Sequence, residues 1–209
     1  MLYVLVFLLG FLLSGIWFGC HSAAAAVISR KGLQRFEPLQ PLISGIIPTT
    51  VICICGRINI FQIDKAADPI IWGAALLSVA AASSIILIGT DRKKERDILK
   101  LMPKCIEAAF MEIPQRAMMQ SFIEMLLIYF GLNSFKSILI TALVWCAAQM
   151  VQLLLLKQRA AKAFWAEMLA SFVFSIGIGY VFWASKSILI AMLCHGAERF
   201  VTNRIGRQI

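Results

Sequence analysis

The sequence predicts an all-α polytopic transmembrane helix bundle of about seven spans, and three observations carry that expectation. The chain is 60% hydrophobic and 15% charged, with a mean hydropathy of +0.83, far more apolar than a soluble domain. Apolar runs long enough to cross a bilayer recur from end to end. The Lys and Arg residues collect in short clusters between those runs and alternate from loop to loop.

The first run, 2–28, opens MLYVLVFLLGFLLSGIWFGC and continues through Ala23 to Ile28. No Lys or Arg precedes it, and it is too long for the apolar region of a signal peptide, so it reads as the first transmembrane helix. The run 39–56 is the weakest span, because it contains Pro41 and Pro48 and ends at Arg57; whether it crosses or re-enters is left open. Further spans are expected at 70–90, 105–131, 137–156, 163–184 and 186–203. The longest polar connection, Asp91 to Lys104, is too short to fold alone, so no soluble domain is expected. The pentapeptide KSILI occurs at Lys136–Ile140 and again at Lys186–Ile190, which reads as two similar helix starts rather than a duplication.

One set of loops holds Arg30, Lys31, Arg35, Arg92, Lys93, Lys94, Arg96, Lys100, Lys104, Lys157, Arg159, Lys162, Arg204 and Arg207. The other holds Arg57, Lys65, Lys136 and Lys186. This asymmetry predicts an external N-terminus and a cytosolic C-terminus for an integral membrane protein surrounded by lipid, expected in a bacterial cell membrane. A net charge of +9 on a soluble chain would point to nucleic acid; here the basic clusters act as orientation signals, and no nucleic-acid partner is expected. The six cysteines lie in or at the ends of apolar runs without a CxxC, and read as small core hydrophobes. Cys53 and Cys55 point to different helix faces, so neither a disulfide nor a zinc site is expected, and no metal or cofactor is assigned.

Glu112 and Arg116 lie four residues apart in an otherwise apolar span, close enough on a helix to pair. Charges at membrane depth are costly, so the pair is a candidate functional feature. Glu112 is eight residues beyond Lys104, Gln149 eight before Lys157 and His195 nine before Arg204, which places all three roughly 12–14 Å inside the same edge of the bundle. Polar groups converging at one depth can bind a ligand, move a proton or form a purely structural hydrogen-bond network. Pro114 should weaken the helix beside Glu112. His21 has no partner evident in the sequence and reads as structural, while Glu124 and Glu167 are lone carboxylates expected to face water or basic neighbours.

The segment FMEIPQRAMMQSFIEMLLIYFGLNSFKSILITALVWCAAQ (110–149), followed by GYVFWASKSILIAMLCHGAERF (179–200), resembles the CAAX-prenyl-protease and bacteriocin-processing family (CPBP, or Abi) of intramembrane peptidases. The resemblance divides the chain into N-terminal transmembrane helices (1–99), a CPBP-like core (100–203) and a cytosolic tail (204–209). The family's first motif is a Glu-Glu pair, three residues and an Arg; the second is an aromatic, three residues and a His; the third is a His followed four residues on by Asn. Glu112 and Arg116 match the first motif, with Met111 where the first Glu belongs. Trp145 matches the second, with Gln149 in place of its His. His195 matches the third, with Arg199 in place of the Asn. In the family the first Glu and the second-motif His are held to activate a water for attack on a peptide carbonyl, and the third motif stabilises the oxyanion.

The resemblance thus implies a peptide or protein substrate, with Glu112 and His195 as catalytic residues and Arg116, Gln149 and Arg199 positioning substrate or water. Met111 cannot accept a proton, and Gln149 can orient a water without deprotonating it. Successive side chains on a helix point about 100° apart, so Glu112 does not fall where Met111 points unless Pro114 rotates the turn. Arg199 can serve an oxyanion or anchor the helix at the interface. Glu107, one turn before Met111, can substitute for the missing Glu or sit among headgroups. Two functions remain: a divergent CPBP endopeptidase using glutamate-activated water, and a catalytically inactive homologue acting as membrane scaffold or regulator. A transporter or channel would need charges lining a path between faces, whereas these cluster at one depth.

Overall fold

The computed structural model describes residues 1–90, 94–155 and 162–205, and these form a helical bundle. Helix α1 (Leu2–Arg30) is followed by a 3₁₀ turn (Gln34–Leu39) that runs into α2 (Gln40–Gly56), then α3 (Pro69–Gly89) and α4 (Ile98–Glu112). A π-helical segment (Ile113–Gln120) joins α4 directly to α5 (Ser121–Tyr129); α6 (Ser137–Leu155), α7 (Lys162–Ser185) and α8 (Ile188–Ile205) complete the chain. Every span read from the sequence is helical, with 105–131 corresponding to the continuous α4–π–α5 unit. The run 39–56 is an unbroken helix despite Pro48, and together with its 3₁₀ turn it is long and apolar enough to cross a membrane.

Five helical stretches among the described residues meet that test: Leu2–Arg30, Gln34–Gly56, Pro69–Gly89, Ser134–Leu155 and Lys162–Ser185. The other two expected spans, α4–π–α5 and α8, carry charged side chains that are turned inward: Glu112, Arg116, Glu124 and Glu198 are all buried.

Helix α4 begins seven residues before the expected start at 105. Asp97 caps it by accepting from the Leu99 N–H at 2.9 Å, and Leu101, Cys105, Ala108 and Glu112 form its buried stripe. Lys100 and Lys104 lie on the exposed face, so total hydropathy hides a helix that its periodicity shows. Among the described residues, loops of the same set meet one another. In one set the Gln62 and Ile188 N–H groups donate to Lys186 and Ile60, and Lys65 Nζ donates to Ala184 O. In the other, Glu95 N donates to Asn203 O and Arg204 reaches the carbonyls of Glu95 and Arg96. Arg92, Lys93, Lys157, Arg159, Arg207 and most of the 204–209 tail lie outside the described residues.

Two apolar clusters flank the central α4–π–α5 helix. One joins Ile71, Ala75 and Ile86 of α3 to Phe174, Ile178 and Phe182 of α7 and Ile190 and Cys194 of α8. The other joins Trp17 of α1 to Met118, Met119 and Ile123 of the central helix and Val144 and Trp145 of α6. Helices α3 and α7 approach through small residues: a Cβ on Gly177 would stand 2.6 Å from Ser78 Cβ. Not all the cysteines join the core: Cys105 and Cys194 are buried, while Cys20 and Cys55 are on the outer surface, where a lipid tail serves a thiol as well as a protein neighbour does.

Candidate active site

Pro114 has no N–H to donate and its ring displaces the preceding turn, and the chain here winds wider, as a π-helix over eight residues. Glu112, Arg116 and Gln120 follow one another at four-residue intervals along this stretch. All three are fully buried. Arg116 is a clamp: Nε donates to Glu112 Oε2 at 3.0 Å, Nη1 to Gln120 Oε1 at 3.2 Å and Nη2 to Ser175 Oγ on α7 at 2.9 Å. Gln120 Nε2 in turn donates to the Gly179 carbonyl at 2.8 Å. Glycine suits this close approach, since a Cβ there would lie 3.1 Å from Ile138 Cγ2, 3.2 Å from Gln120 Oε1 and 3.3 Å from Arg116 Nη1. A buried guanidinium is tolerable because each of its nitrogens has an acceptor.

The second oxygen of Glu112 faces α8, where His195 Nδ1 lies 2.6 Å from Oε1. A carboxylate held by a guanidinium is an acceptor, so Nδ1 carries the hydrogen, and Nε2 is left as the ring nitrogen able to take a proton. The ring packs on Phe174 with centroids 4.8 Å apart. His195 and Phe174 line a cavity of ≈ 750 Å³. Its wall includes Trp17 and His21 from α1, Glu107, Met111 and Gln115 from the central helix, Trp145 and Gln149 from α6, Glu167 and Ser171 from α7, and Glu198, Arg199 and Asn203 from α8.

Glu112, Arg116 and His195 are therefore joined in one network, of which His195 alone lines the cavity. The side chain next to Glu112, Met111, does line it, as the angular offset between successive residues requires. Gln149 shares the cavity but not the network: its amide lies 3.5 Å from Ser171 Oγ. Arg199 lies 3.6 Å from Glu198. Glu124, expected to find water or a basic neighbour, receives both its hydrogen bonds from Lys186 Nζ, at 2.7 Å each.

Sequence reasoning did not single out Gln120 or Glu198, and it read His21 as structural. Gln120 extends the 112/116 stripe by one more turn, and Glu198 lies three residues after His195, so both were visible in helical spacing. His21 was not, because its place in the cavity wall depends on how α1 packs. There its Nδ1 lies 3.3 Å from Ser44 Oγ, and its ring stacks on Trp17. Among the described residues, no three His, Cys, Asp or Glu side chains converge as a metal site would require.

Residues 101–201, just under half the chain, match the family model described as type II CAAX prenyl endopeptidase Rce1-like. Over this segment the chain is similar to that family. No curated protein and no solved structure matches the chain. The matched segment contains the whole network and both residues that flank it on α8, and the apolar helices mark an integral membrane protein. Helices α1 and α3 lie outside the matched segment yet contribute Trp17, His21, Ala82 and Ile86 to the cavity wall.

Proposed function

We propose that this protein is a divergent intramembrane endopeptidase that cleaves a peptide or protein entering the cavity beside His195. The observation that supports the reading is the 2.6 Å Glu112–His195 contact beside a cavity large enough for several residues of extended chain. In this scheme Glu112 acts through His195: its carboxylate holds Nδ1–H, and Arg116 holds the carboxylate. His195 Nε2 takes a proton from water as the oxygen attacks the peptide carbonyl, and later returns it to the departing nitrogen. Arg199 donates to the oxyanion, and Gln149 orients the chain or the water. By the distribution of basic residues, the cavity opens toward the cytosolic end, where α8 carries Asn203 and Arg204.

A second reading is an inactive scaffold, favoured by the way Arg116 ties the π segment to α7 and by Met111 and Gln149 at two motif positions. Cleavage of a peptide library by the full chain in proteoliposomes separates the two. The endopeptidase predicts cleavage that falls by about 10²–10⁴-fold in His195→Ala, with a smaller loss in Glu112→Gln at an unchanged melting temperature of the His195 variant. A wild-type protein that cleaves nothing, while both variants unfold more readily, supports the scaffold.

A further inference from the structure

Glu198 has no role in the scheme above, and its surroundings ask for one. It is 3% exposed, lies one helical turn beyond His195 on α8 and lines the same cavity. Its Oε2 is 3.6 Å from Arg199 Nε, beyond good hydrogen-bond length. Its Oε1 is buried with no hydrogen-bond partner among the described residues, whereas each oxygen of Glu112 has one. A buried carboxylate oxygen without a donor is costly, so a chain that retains one needs a donor from outside its own side chains.

We propose that Glu198 is a further catalytic residue, whose Oε1 holds the attacking water against His195. The inference rests on the hydrolytic reading of the site. A water has two hydrogens. One points to His195 Nε2 and is transferred as the oxygen bonds to the carbonyl carbon; the other is held by Glu198 Oε1 and stays on the new hydroxyl. With both hydrogens directed, a lone pair faces the carbonyl, and the tetrahedral adduct then breaks its C–N bond as His195 returns the proton to nitrogen. Arg199 Nε lies 3.6 Å from the other carboxylate oxygen, leaving Oε1 for the water.

The test uses full-length protein in proteoliposomes, a fluorogenic peptide library as probe, and the variants Glu198→Gln, Glu198→Asp and His195→Ala. The expected result for Glu198→Gln is a kcat at least about tenfold lower with KM nearly unchanged, and a melting temperature equal to or above wild type, since a neutral amide is cheaper to bury. Glu198→Asp should recover part of the activity. Wild-type turnover in Glu198→Gln, alongside loss in His195→Ala, overturns this role and leaves the endopeptidase standing. A lowered melting temperature with proportional loss of activity makes Glu198 structural and also overturns it. Absence of cleavage by wild type removes the endopeptidase reading and this inference with it.

Discussion

Replacing Arg116 by methionine isolates the contribution of the buried clamp. Methionine nearly fills the space but removes three donors, leaving the Glu112, Gln120 and Ser175 acceptors short by one bond each. Hydrogen bonds between membrane helices average about 0.6 kcal/mol, because the unfolded chain in lipid also finds partners; the Ser175 bond is of that kind, and giving the two bonds within the central helix a similar value sets a floor near 2 kcal/mol. Stripping one partner from a buried ion pair costs about 3–5 kcal/mol, which sets the upper range. A loss of about 2–5 kcal/mol is therefore expected. The double variant Glu112→Gln with Arg116→Met should cost less than the two singles added, by about 1–3 kcal/mol, because no charge is left uncompensated. The assay is reversible unfolding in mixed micelles, followed by the fluorescence of the five tryptophans. A single-variant loss under about 1 kcal/mol, or strict additivity, refutes the view that this network holds the π segment to α7.

Two further outcomes follow from particular contacts. Gly177→Ala should lose about 1–3 kcal/mol, since its new methyl meets Ser78, and adding Ser78→Gly should restore most of it; failure of the rescue in the same unfolding assay excludes α3–α7 contact as the cause. Lys186 sits at φ 53°, so Lys186→Gly should be more stable than Lys186→Ala by about 1 kcal/mol, although both lose the ion pair to Glu124. Equal stability of the two would mean that this loop relaxes on substitution.

Much of the bundle is legible in the chain because lipid imposes one rule: a long apolar run must satisfy its own backbone, and only a helix does. The rule places the helices but not their inner faces. Helix α1 is apolar nearly all round, and the stripe of Val6, Gly10, Ser14 and Trp17 that faces inward is distinguished by packing rather than hydropathy. The same limit explains the start of α4, where Lys100 and Lys104 on one face concealed an amphipathic turn. At the site, Glu112 with Arg116 was legible from spacing, and a common depth linked them to His195. Depth says nothing of azimuth, so it equally grouped Gln149, whose amide turns to Ser171.

The sequence by itself determined a helical membrane protein and a pair of charges that cannot face lipid, because each follows from hydropathy and helical repeat alone. Which groups touch was decided only by tertiary structure. Rotation of α8 brings His195 onto Glu112, the glycines of α7 let that helix close on Gln120 and Arg116, and α1 brings His21 into a cavity assembled from helices far apart in the chain. The reason is geometric: periodicity fixes a side chain's angle about its own helix, while the angle between helices depends on how all of them pack at once.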